Sequence, residues 1–169
     1  MADGPVDARA GPGLVRRVIE WWALLGGIVL LGMALMTTWS AATGFAFAKP
    51  LPGDFELTEI LVAVAAFAFL PYCQLTDANV TADLFTARAG RRAVAAFALF
   101  AALLAVGYGV LLAWRTWAGL LDYRQFVETT AILKIPIWTA YVPAVASLAL
   151  LVLACLITLR DAWRALMRS

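Results

Sequence analysis

"WWALLGGIVLLGMALMTTWSAATGFAFA", residues 21–48, runs for 28 positions without a charged side chain. As a helix rising 1.5 Å per residue it would be ~42 Å long, more than enough for the ~30 Å hydrocarbon core of a bilayer. Three more charge-free runs follow, at 60–76, 93–114 and 135–159. The last two exceed the roughly 20 residues a crossing needs. The run at 60–76 is shorter and borrows flanking residues. None of them shows the short alternation of a membrane β-strand. The chain therefore reads as an all-α integral membrane protein with four transmembrane helices, over about 21–43, 57–76, 93–114 and 135–159.

Composition agrees. The 169 residues are 64% hydrophobic and 14% charged, with a mean hydropathy of +0.87. Soluble domains hold about 45–50% apolar and about 25% charged residues, and a core of this size could not hide the excess. The net charge of +2 gives no support to a nucleic-acid partner.

Lys and Arg in the short flanking segments set the orientation. Nine lie on one side: Arg9, Arg16, Arg17, Arg88, Arg91, Arg92, Arg160, Arg164 and Arg168. Four lie on the other: Lys49, Arg115, Arg124 and Lys134. Both termini and the loop at 77–92 are expected in the cytoplasm, with 49–59 and 115–134 facing out. All seven tryptophans fall near an expected interface, as an aromatic belt requires. Cys73 and Cys155 both fall toward cytoplasmic helix ends, which argues for buried thiols rather than a disulfide.

Residues 1–13 are polar and rich in Gly and Pro, and read as a flexible cytoplasmic tail before a membrane domain over 14–165. Pro71 is expected to kink helix two, and Pro143 to bend helix four, which opens at Pro136. Ala101, Ala105 and Gly109 recur every four residues, a spacing that can let another helix approach closely or can simply reflect an Ala-rich sequence. Between helices three and four, Trp117, Leu120, Leu121 and Val127 suggest an amphipathic outer segment lying in the interface.

The chemistry that is missing narrows the function. With no histidine, the chain can supply neither a His ligand to haem nor a His proton relay. No group of Cys or carboxylates has metal-ligand spacing, so no cofactor is expected in this chain. The four runs contain no ionisable carboxylate or base, whereas ion and substrate paths usually place such groups in mid-membrane. Thr37, Thr38, Gln74 and Ser147 are the notable polar residues there, and such residues more often bond backbone or neighbouring helices. Glu56 and Glu59 open helix two, where they complement its dipole or contact a partner outside the membrane. A subunit without catalytic residues fits better than an autonomous pump, channel or enzyme.

Two patterns together resemble the small permease subunit of tripartite ATP-independent periplasmic (TRAP) transporters, the DctQ-like family. The first is Asp77-Ala78-Asn79-Val80-Thr81-Ala82-Asp83-Leu84, with Arg91-Arg92 as the basic turn after it. The second is "LKIPIWTAY" at 133–141, in which Leu133, Ile135, Pro136, Trp138 and Tyr141 match the family's pattern at the head of helix four. An acidic residue before helix two is also usual there, and Glu56 or Glu59 fills that place. Asn79 stands where the family usually has His, and Asp77 where it has Gly. A protonation role is therefore lost, while Asn can still donate and accept hydrogen bonds. Asp77, Asn79, Asp83, Arg91 and Arg92 are accordingly expected to be structural fixings in the cytoplasmic connector.

The resemblance implies a bacterial inner-membrane complex of three components. A periplasmic substrate-binding protein would deliver an organic acid. A large permease subunit would move it by a sodium-driven elevator motion, and would carry the sodium coupling. The small subunit would pair with the permease and enlarge its static scaffold. Glu56, Glu59 and Arg124 are candidate contacts for the binding protein, and membrane phospholipids are candidate partners of the cytoplasmic arginines. A non-catalytic anchor or assembly subunit of another membrane complex is the alternative.

Overall fold

The computed structural model describes residues 13–76 and 91–168. They form four long helices: α1 (Gly13–Phe47), α2 (Asp54–Leu75), α3 (Arg91–Phe126) and α4 (Trp138–Arg168). All four contain segments long and apolar enough to cross a membrane. In hydrocarbon the backbone has no water to bond, so an uninterrupted helix is the economical way for each apolar run to satisfy its own N–H and C=O groups.

The packing order is not the chain order. α1 packs on α2, α2 on α4, and α4 on α3, so the last helix lies between the second and the third. The connections 48–53 and 127–137 meet at one end, here termed the connector end. The start of α1 and the end of α4 lie at the other.

Small residues make the contacts. Ala23, Ala65, Ala68, Ala102, Ala144 and Ala154 are buried, joined by Ile19, Leu148 and Cys155. At the crossing of α1 with α2, a Cβ added to Gly26 would sit 2.8 Å from the Ala68 Cβ. Helices in lipid gain nothing by hiding Leu from hydrocarbon, so close backbone approach through small residues holds them together instead. The large apolar side chains point outward accordingly. Leu24, Ile28, Leu31 and Leu35 on α1 are exposed, as are Phe97, Phe100, Leu104 and Leu111 on α3. Polar groups inside are satisfied. The Trp22 indole N–H donates to the Ser147 hydroxyl at 2.9 Å, and that hydroxyl donates to the Pro143 carbonyl at 2.8 Å. Gln74 and Thr158 join α2 to α4 at 3.4 Å. Among the described residues, no buried side-chain N or O lacks a hydrogen-bond partner.

Three features differ in extent from the reading of charge-free runs. α3 does not stop at Trp114 but continues through Arg115, Asp122 and Arg124 to Phe126. Its 36 residues give ~54 Å of helix, so it outruns a ~30 Å core even when tilted. The segment 115–134 is thereby divided: its first part prolongs α3, and residues 127–137 form a compact connector. Helix four begins at Trp138, two residues after Pro136, which closes the preceding turn. Pro71 is fully buried within α2, where it cannot donate to the preceding turn. The tail at 1–12 and the island residues Asp77, Asn79 and Asp83 lie outside the described residues.

Candidate functional site

The first connector is closed by a buried hydroxyl. Ser40, two turns before the end of α1, accepts the Leu51 N–H at 3.1 Å and donates to the Asp54 carboxylate. Gly53 then turns the chain at φ +77°, a left-handed conformation that glycine adopts without steric cost. Its carbonyl accepts the Leu57 N–H at 3.0 Å as α2 begins. Asp54 and Glu56 occupy the first turn, where negative charge offsets the helix dipole.

The second connector is a tight loop bonded across itself. Thr129 and Pro136 form an antiparallel bridge. The Thr130 N–H donates to the Ile135 carbonyl at 2.9 Å, and the Ile135 N–H returns to the Thr130 hydroxyl at 3.1 Å. The Ile137 N–H donates to the Glu128 backbone carbonyl at 3.0 Å. At the start of α4 the Pro136 carbonyl accepts both the N–H and the hydroxyl of Thr139, at 3.1 and 2.7 Å.

The two connectors lock into each other. The Glu56 carboxylate accepts the Ile132 N–H at 2.7 Å and the Leu133 N–H at 3.0 Å, one oxygen to each. Beside this fork, the Leu133 side chain lies so close to Gly53 that an added Cβ would fall 2.4 Å from its Cγ and 2.7 and 2.9 Å from its two Cδ atoms. Chemically, the loop presents two orphan N–H groups and Glu56 supplies a charged acceptor for both, the stronger form of hydrogen bond.

Glu56 precedes the apolar stretch of α2. The Leu133 N–H, aided by that of Ile132, holds its carboxyl below the ordinary value of 4.5. A carboxyl lowered on folding stabilises the fold above its unfolded-state value and loses that contribution as pH falls through its folded value. Acidification below about 4.5 should therefore lower the protection of the Ile132 and Leu133 amides against exchange, measured relative to their intrinsic rate at each pH. Glu56→Gln should show that lowered protection at every pH. Unchanged protection in that variant would mean the fork does not hold the loop.

The remaining residues of the 133–141 pattern are tied to α3. The Arg124 guanidinium carbon lies 5.7 Å from the centre of the Trp138 ring, within cation–π reach. The Tyr123 and Tyr141 rings are 5.0 Å apart. Gly119 lets Tyr141 approach, since a Cβ there would meet the ring at 3.1 Å. Leu133, Ile135, Pro136, Trp138 and Tyr141 thus all contribute to one joint between α2, α3, α4 and both connectors.

The other candidates are dispersed. Glu59 is exposed on α2 and faces a groove beside α3. Ala101 is exposed, Ala105 half-buried and Gly109 buried, the last facing Val152 of α4. Arg91 and Arg92 open α3. Sequence reasoning did not single out Ser40, Gly53, Thr130 or Gly26. "LPGD" at 51–54 carries a turn signal that could have marked Gly53; a lone serine or threonine carries none. Among the described residues, no three His, Cys, Asp or Glu side chains are grouped to hold a metal ion. The site is an end-plate built of hydrogen bonds and ring contacts.

A sequence profile described as the DctQ component of tripartite ATP-independent periplasmic transporters matches residues 33–165. No curated protein and no solved structure matches the chain.

Proposed function

We propose a function from one premise: this chain belongs to the DctQ family, the DctQ component of tripartite ATP-independent periplasmic transporters. It is a multi-pass inner-membrane protein and a transporter component. Our reading is that it pairs with the large permease subunit as a static scaffold. The permease then imports an organic acid by a sodium-driven elevator motion, after a periplasmic binding protein has delivered it.

The observation that carries this reading is where the charges lie. Among the described residues, no Asp, Glu, Lys or Arg falls within the runs 21–48, 60–76, 93–114 and 135–159. Spans without a central ionisable group suit a wall better than a path for ions. Broad exposed apolar faces suit a subunit that meets both lipid and another membrane protein. The excess of Lys and Arg near the termini supports reading the connector end as periplasmic. There the exposed Glu128 and Lys134 offer charges to the binding protein. Glu56 has an internal partner in Leu133, and Arg124 lies over Trp138, so they suit that role less.

Reconstitution tests the scaffold role. Liposomes holding this chain, the large permease and the binding protein should accumulate substrate under an inward sodium gradient. Leaving out this chain should reduce uptake at least tenfold, and this chain alone should transport nothing. Full uptake by the permease and binding protein without it would overturn the reading.

A further inference from the structure

α2 and α3 both pack on α4, and between them the protein leaves a groove of about 450 Å³. Ala144 belongs to its α4 lining, while Ala63 and Phe67 line it from α2. Glu59 stands toward the connector end, eight residues before Phe67, or ~12 Å along the helix. The groove is therefore amphipathic along its length, with a carboxylate at one end and hydrocarbon at the other.

Two observations select the occupant. First, Thr130 of the second connector also lines the groove, bounding it at the connector end. A partner's transmembrane helix would have to continue past that level, whereas a lipid can enter sideways and end at its headgroup. Second, the charge at the mouth is uncompensated: no Lys or Arg lines the groove among the described residues. The Glu56 carboxylate already accepts two N–H groups, which leaves Glu59 to meet the ligand.

We propose that this groove binds a phospholipid whose headgroup carries a primary ammonium, with the ammonium paired to Glu59 and an acyl chain lying along Ala63 and Phe67. Phosphatidylethanolamine has that chemistry. Phosphatidylglycerol lacks the cation and would bring its phosphate beside two carboxylates. The inference requires only that the chain lie in a membrane, so it stands or falls independently of the transport role.

Native mass spectrometry of the full chain in mild detergent, titrated with either lipid carrying identical acyl chains, tests it. Phosphatidylethanolamine should bind about fivefold more tightly, the ratio expected of an exposed ion pair contributing about 1 kcal/mol. Glu59→Gln should remove the preference, and Glu59→Lys should reverse it. Ala63→Trp, which fills the groove from an exposed position, should abolish binding of both lipids. Equal binding of the two lipids to the unaltered chain would overturn the proposal, as would a preference that survives Glu59→Gln. So would Ala63→Trp if it left lipid binding intact and instead prevented co-purification of another membrane protein.

Discussion

Gly26→Leu should force α1 away from α2 and destabilise the protein by about 3 kcal/mol, the upper part of the range for overpacking a close contact. The cause is geometric. A single Cβ at this position would lie 2.8 Å from the Ala68 Cβ, 3.5 Å from the Ala65 carbonyl oxygen and 3.8 Å from Phe69. The two nearest of these are an alanine Cβ and a backbone oxygen, and neither can swing aside without moving α2. Gly27 supplies the control, because a Cβ there meets nothing within 4 Å. Thermal unfolding in detergent should separate the two variants, with Gly27→Leu close to the unaltered protein. Equal loss from both would show that leucine at this depth harms α1 itself, and that the crossing is not the cause.

Gly53→Ala should be nearly as damaging, for two reasons that can be measured apart. The residue sits at φ +77°, where a Cβ adds about 1–2 kcal/mol of backbone strain. That Cβ would also fall 2.4 Å from Leu133 Cγ, an overlap worth about 1–3 kcal/mol. The expected total is about 2–4 kcal/mol. Leu133→Ala removes the overlapping atoms but leaves the backbone strain. The double variant should therefore be more stable than the sum of the single losses by about 1 kcal/mol or more. Strict additivity would mean that the two connectors do not press on each other.

The helices were legible because lipid imposes a crude requirement, long apolar runs between charges. The same signal misjudged the length of α3. Charge marks where hydrocarbon stops, not where hydrogen bonding stops, and Arg115 and Arg124 are good helix formers in the stretch that carries α3 on to Phe126. The stripe at Ala101, Ala105 and Gly109 shows a related limit. A strict step of four drifts around a helix of 3.6 residues per turn. Thus Gly109 faces α4 while Ala101 turns outward, and Ala102 is the buried neighbour. The pattern at 133–141 could be recognised as a unit, but its partners could not. Gly53 meets a leucine 80 positions later, and Glu56 meets the backbone N–H of that same leucine. A backbone donor has no signature in sequence. Asp77, Asn79 and Asp83, the most conspicuous polar residues, lie outside the described structure.

The order of the row has a consequence for biogenesis. A ribosome releases α2 and α3 one after the other, yet α4 lies between them in the finished protein. The last helix must enter between two that precede it, so the pairings α2–α4 and α4–α3 cannot form until synthesis is nearly complete. Until then Gly53 and Glu56 have no loop to grip, because Leu133 emerges only just before α4. The joint at the connector end is thus a late event, closing after all four helices are in the bilayer. A chain truncated before Trp138 would insert its first three helices but lack the piece that holds them as one body.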